Sequence, residues 1–162
     1  MPHKGLISLG IDPGTVRVGV GVVEKRGGAL RHVMHDLLPL ANGLAGGERL
    51  LDLREKLEAL IGAAKPDVAG IERLFFSKNK KTAIEVGEAR GVILMTLAAH
   101  GIPVIEFTPS EAKLALTGDG NATKRAVAAM AGRILGIDTG KSIDDATDAL
   151  AIAIAATQRR IG

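Results

Sequence analysis

Apolar residues in the first forty positions come in short runs rather than at helical spacing. Residues 6–12, LISLGID, and 19–24, GVGVVE, read as two strands joined by residues 13–18. Residues 30–37 supply a third after the turn at Gly27-Gly28, and the short connections favour an antiparallel meander. Beyond the Gly-rich loop 41–47 the period changes. Leu50, Leu53, Leu57, Leu60 and Ile61 recur at helical spacing, which predicts an amphipathic helix over 48–64 that Pro66 stops. Residues 67–72, DVAGIE, form a short buried strand, so the helix before them reads as a right-handed crossover to a parallel neighbour. A loop over 75–81 carries Lys78, Lys80 and Lys81. A long helix follows over 82–100, with Gly87 and Gly91 four residues apart, then a fifth strand over 103–107. Ser110 is the expected cap of a helix through Leu116. A helix over 123–135, a loop over 136–141 and an Ala- and Ile-rich helix over 144–160 complete the chain. The pattern predicts an α/β protein with a five-stranded mixed sheet flanked by helices. With no internal linker, residues 1–162 read as a single domain.

Acids interrupt this pattern in three places. Asp12 ends the first strand, and Asp12-Pro13-Gly14 taken alone reads as a turn. Pro13 nevertheless biases Asp12 towards extended geometry, which holds its side chain at a strand terminus. Glu72 ends the DVAGIE strand, where a charge meeting solvent is the ordinary explanation; sites in α/β sheets also gather at such strand ends. Asp145 and Asp148 lie three residues apart, so they share a helical face that continues through Ala149, Ile152 and Ala156. Capping and the helix dipole account for Asp144. They do not account for two acids at the head of an apolar stripe. The joint alternative is a metal site with oxygen-only ligands, which suits Mg²⁺ or Mn²⁺. Two such ions about 3.5–4 Å apart can activate a water and stabilise the leaving oxygen of a phosphodiester.

Composition narrows the partners. The net charge is +3 across 162 residues, so a basic protein surrounds these acids and a polyanion, nucleic acid first, is the natural partner. Cysteine is absent, which removes disulfides and thiolate metal sites. No apolar run is long enough for a membrane span and no leader pattern is present; a cytosolic, membrane-free location is the expectation. With no Trp or Tyr, base stacking would fall to Phe75, Phe76 or Phe107.

The stretches GIDPGTVRVGVGVV, GIERLFFSKN, GEARGVIL, TPSEAKLALTGDGNATKRAV and DDATDALAIAI occur in this order over nearly the whole chain. Any one of them is a weak signal. Together they closely resemble the RuvC family of bacterial Holliday junction resolvases. The resemblance implies a ribonuclease H-like fold and a structure-selective endonuclease acting in recombination and DNA repair. It implies Asp12, Glu72, Asp145 and Asp148 as catalytic, metal-binding acids with two Mg²⁺ ions per site, Mn²⁺ substituting. It implies a base contact from Phe75, with the adjacent Phe76 as the alternative ring, backbone contacts from Lys113 and Lys124, and an interface on the GEARG helix for a homodimer that works with the RuvA–RuvB branch-migration helicase on four-way junction DNA; Lys78, in the basic loop, is a further DNA-binding candidate. Four oxygen ligands with no Cys or Tyr nucleophile point to direct attack of water, leaving 5′-phosphate and 3′-hydroxyl ends. Three other readings compete: an RNA-processing nuclease of the same fold, a phosphate-binding ATPase of the actin superfamily, and a non-catalytic DNA-binding module. The ATPase needs two such domains, and the intact acids disfavour the last.

Overall fold

The computed structural model describes residues 5–41, 43–73, 79–140 and 144–159. A five-stranded sheet runs through the molecule in the order β3-β2-β1-β4-β5. The strands β1 (Leu6–Asp12), β2 (Arg17–Arg26) and β3 (Ala29–Pro39) form the predicted antiparallel meander. Gly27 and Gly28, at φ 57° and 88°, make the tight connection between the last two. β4 (Val68–Glu72) pairs parallel to β1, and β5 (Val104–Phe107) pairs parallel to β4. β2 and β3 extend past the apolar runs because backbone pairing continues through exposed positions, from Arg17↔Pro39 to Arg26↔Ala29.

α1 (Gly47–Ala64) and α2 (Lys80–Ala99) cover one face of the sheet, packing Leu53, Leu57, Ile93 and Leu97 against Leu9, Ile11, Val20 and Val22. α3 (Pro109–Thr117), α4 (Lys124–Leu135) and α5 (Asp144–Ala156) belong to the second core, which holds Phe107, Leu116, Val127, Leu150 and Ile154. Phe107 is 1 % exposed, so this ring is core and drops out of the stacking candidates.

Three helix boundaries differ from the sequence reading, each for a local hydrogen-bonding reason. α2 starts at Lys80 because the Asn79 side chain accepts from the Lys81 and Thr82 N–H groups. The cap of α3 is Thr108, not Ser110. Thr108 Oγ1 accepts from the Glu111 N–H, and Glu111 accepts in return from the Thr108 N–H, a reciprocal capping box. α5 ends at Ala156 rather than at residue 160; the Thr157 hydroxyl and the Gln158 N–H donate to carbonyls three residues back, Ile154 and Ala155, closing the helix in a tight turn.

One feature of the sheet governs the site. Gly21, Gly10 and Gly70 are register partners across β2, β1 and β4 and form a side-chain-free row. α5 lies directly on it. A Cβ at Gly10 would collide with the Ala149 carbonyl and the Ala153 amide, and one at Gly21 would stand 2.7 Å from the Leu150 amide nitrogen. Real side chains essentially never pack that closely, so only glycine admits the helix here. Ser8 adds a hydroxyl donated to the Ala153 carbonyl at 2.8 Å.

Candidate metal centre and nucleic-acid cleft

Parallel pairing carries Asp12 and Glu72 to the same end of the sheet, at the carboxyl ends of two neighbouring interior strands. β1 and β4 are matched at Gly10↔Gly70 and Ile11↔Ile71, and the next residue on each strand is the acid. The tripeptides GID and GIE are therefore one device used twice. The glycine clears space for α5, and two positions on, facing the same side, stands the acid. On β2, Gly19 lies opposite Asp12, and a Cβ at Gly19 would strike the Asp145 carbonyl. α5 thus delivers its first two turns onto the strand ends.

The outcome is a carboxylate cluster. One oxygen each from Asp12, Asp145 and Asp148 lie within 4.8 Å of one another. Glu72 is within hydrogen-bonding reach of Asp12. Asp144 shares the first helical turn but is exposed and stays outside the cluster. A cleft of about 430 Å³ opens over the acids, and its lining includes Lys113 of α3 and Lys124 of α4. Lys124 Nζ stands 3.2 Å from Asp148 Oδ2. The structure thus brings together six of the residues singled out from the sequence: Asp12, Glu72, Asp145, Asp148, Lys113 and Lys124. Phe75, Phe76 and Lys78 lie outside the described residues.

Arg17 joins the site without having been singled out in the sequence. Its Nε donates to Asp145 Oδ2 at 2.8 Å. The signal lies in the alternation of β2, since Arg17 is two residues before Gly19 and so shares the face that meets α5. A motif search that stops at the acids passes over it.

The electrostatics show what the cluster needs. Burial, and then the Glu72 carboxylate beside it, push Asp12 up from an ordinary 3.8 to about 8. Burial also raises Asp148, opposed by Lys124, and the hydrogen bond from Lys124 to Asp148 raises the lysine. Asp12 and Glu72 have no cationic partner among the described residues. Three carboxylate oxygens converging with excess negative charge fit a hard divalent cation, and the donor set is oxygen only.

This charge balance makes stability depend on pH with a definite sign. Between about pH 4 and pH 8 the folded chain keeps a proton on Asp12 that the unfolded chain has released. The folded state then binds more protons, so stability falls as pH rises through that window. Chelator-treated protein should melt lower, by roughly 10 °C, at pH 8 than at pH 5. Adding Mg²⁺ at pH 8 should recover the loss. Calorimetry that finds the chelated protein as stable at pH 8 as at pH 5 would count against this charge balance.

Residues 8–156 match the family described as crossover junction endodeoxyribonuclease RuvC. The chain belongs to the RuvC family. The RuvC of Chloroflexus aggregans is 50 % identical over 147 residues, covering 91 % of this chain and 90 % of that protein. The RuvC of Moorella thermoacetica is 43 % identical over 149 residues, covering 92 % and 89 %. Among solved structures, T. thermophilus RuvC in complex with a Holliday junction substrate superposes with a TM-score of 0.86 at 30 % identity, covering 93 % of this chain and 92 % of that one. The yeast mitochondrial Holliday junction resolvase, at 14 % identity and a TM-score of 0.69, shares the fold. The fold is thus the ribonuclease H-like one expected of RuvC proteins. No helix among the described residues is long and apolar enough to cross a membrane.

Proposed function

We propose that this protein is a Holliday junction resolvase, an endodeoxyribonuclease that hydrolyses phosphodiester bonds at four-way junctions in recombination and repair. The observation that carries the reading is the meeting of strand-end and helix-borne carboxylates beneath a cleft flanked by lysines. Relatives named crossover junction endodeoxyribonuclease, and a neighbour solved with a Holliday junction substrate, supply the substrate class.

Asp12, Glu72, Asp145 and Asp148 are the residues that would hold divalent cations, two Mg²⁺ in this reading, with Mn²⁺ as a substitute. Such ions supply a nucleophile from water at neutral pH and charge stabilisation for the leaving oxygen. The protein's own groups do the rest. Lys113 and Lys124, on the wall of the cleft, draw the phosphate backbone down onto an acidic floor that would otherwise repel it. Lys124 holds Asp148 in place from the same position. The segment after Glu72, with Phe75, Phe76 and Lys78, would contact the opened crossover, where a ring can stack on an unpaired base.

Resolution into ligatable duplexes needs two symmetric cuts, which a two-fold homodimer provides. α2 is the proposed interface. Ile84 and Met95 are 63 % and 54 % exposed, and a Cβ placed at Gly91 between them would meet nothing within 4 Å, so this glycine does not seat the helix on its own sheet. Residues 1–162 act in this reading as one nuclease domain in the cytoplasm, with RuvA–RuvB supplying junctions.

The test is a synthetic four-way junction incubated with Mg²⁺ beside a linear duplex and an RNA–DNA hybrid, with sedimentation of the cutting species. Paired nicks confined to the junction, made by a dimer, are expected. Cutting of the hybrid's RNA strand instead would support the RNA-processing reading.

A further inference from the structure

Among the described residues two cations touch the acidic cluster, and they are not equivalent. Lys124 approaches Asp148 from α4, on the wall of the cleft. Arg17 approaches Asp145 from β2, at the hairpin that follows Asp12. Its backbone is firmly held: Arg17 pairs with Pro39, and the Leu40 N–H donates to the Val16 carbonyl at 3.1 Å. Its side chain is not. The side chain is 48 % exposed and bonded only through Nε; among the described residues the two terminal nitrogens make no hydrogen bond to protein. An arginine with its fork open, bonded to a carboxylate that lines the cleft, is shaped for phosphate, which it can grip with two parallel hydrogen bonds.

Arg17 and a divalent cation also draw on the same carboxylate. Bringing a doubly charged ion to Asp12, Asp145 and Asp148 while a guanidinium stays on Asp145 sets like charges side by side. The conflict ends if Arg17 has another anion to bind. A DNA backbone entering the cleft offers one.

We infer that Arg17 is a stand-in cation. It neutralises Asp145 while the cluster lacks a divalent ion and moves to a backbone phosphate when DNA arrives. Cation binding and DNA binding thereby favour each other. Arg17 is a positioning residue in this scheme, since it holds a ligand and then the substrate backbone without touching the reacting atoms. Coupling of this kind is reciprocal: DNA raises cation affinity by the same factor by which the cation raises DNA affinity. The scheme rests on the junction-binding reading above and assigns it a means of keeping the site discharged until substrate is present.

Calorimetric titration of Ca²⁺ into the wild-type chain, Arg17→Gln and Arg17→Lys tests this, with and without a junction, under conditions where a gel shows the DNA uncut. Without DNA, Arg17→Gln should bind Ca²⁺ roughly three- to tenfold more tightly than the wild type, because a competing positive charge has gone. The tightening that the junction brings should shrink by the same factor. The slope of log binding constant against log salt should become shallower by about one unit, as for a lost phosphate contact. Arg17→Lys, which keeps the charge but not the fork, should retain the wild-type Ca²⁺ affinity and salt slope while binding the junction more weakly. Unchanged or weaker Ca²⁺ binding by Arg17→Gln without DNA, or an unchanged salt slope, overturns the role of Arg17 alone when the wild type binds both Ca²⁺ and junction. A wild-type chain that does not bind the junction overturns both this scheme and the functional reading.

Discussion

Asp12→Asn is expected to lower junction cleavage by about three orders of magnitude or more while leaving junction binding intact. The size follows from the position of Asp12. It is the strand-end acid that shares a cluster with Asp145 and Asp148 and sits in hydrogen-bonding reach of Glu72. An amide there removes a negatively charged ligand from the centre of the group. Loss of about 4 kcal/mol of transition-state stabilisation corresponds to that drop in rate. Binding should survive, because one fewer negative charge beneath the phosphates does not weaken their attraction to Lys113 and Lys124. The substitution carries its own folding control. Burial and neighbouring acids disfavour the Asp12 carboxylate, so chelated Asp12→Asn protein should melt at or above the wild type near pH 8. A variant that melts normally and cuts at the wild-type rate would remove Asp12 from the reaction.

Gly10→Ala is expected to be a strongly damaging single-methyl change, since among the described glycines whose surroundings are resolved Gly10 meets the closest obstacle. The added Cβ would run into the backbone of α5 at Ala149 and Ala153, and a helix backbone cannot step aside as a side-chain end can. Overpacking of this kind usually costs about 1–3 kcal/mol, and a clash with backbone on a fully covered strand belongs at the top of that range. Relief requires α5 to lift from the sheet, which would carry Asp145 and Asp148 away from Asp12. Cleavage should therefore fall even in the fraction that remains folded. Gly62→Ala is the matched comparison. Gly62 lies within α1 with open space around its Cβ position, and alanine there should stabilise slightly through helix propensity. Denaturant unfolding of both variants, with cleavage assayed well below the transition, separates the effects. Equal stability of Gly10→Ala and wild type would mean that α5 does not rest on the glycine row.

Much of this was legible in the chain itself. Hydrophobic spacing marked the strands and helices, because an element buried on one face writes its period into the sequence. The meander was readable from its short turns, and the parallel addition of β4 and β5 from the intervening helices. The acids stood out because each sat where a buried element should have been apolar. Local hydrogen bonding was less legible. Thr108 and Ser110 both precede an apolar run, and which one caps α3 depended on Glu111 returning a bond to the Thr108 amide.

What the sequence by itself determined was which residues are chemically unusual: acids at the ends of GID and GIE, a pair of acids heading an alanine-rich helix, and glycines repeated two residues before each strand acid. Their period and polarity are local properties, and the chain states them directly. What only the tertiary structure decided was how these pieces meet. Gly21, Gly10 and Gly70 are far apart in the chain and become one row only through strand register. That row lets α5 press against the sheet, and the pressed helix brings the oxygens of Asp145 and Asp148 to within 4.8 Å of the Asp12 oxygen. Arg17 belongs to the same category. The alternation of β2 puts Arg17 on the face of Gly19, but its contact with Asp145 exists because residues 128 apart in the chain meet on that face of the sheet. Long-range distance is set by packing, and packing is a property of the assembled elements rather than of any stretch of sequence.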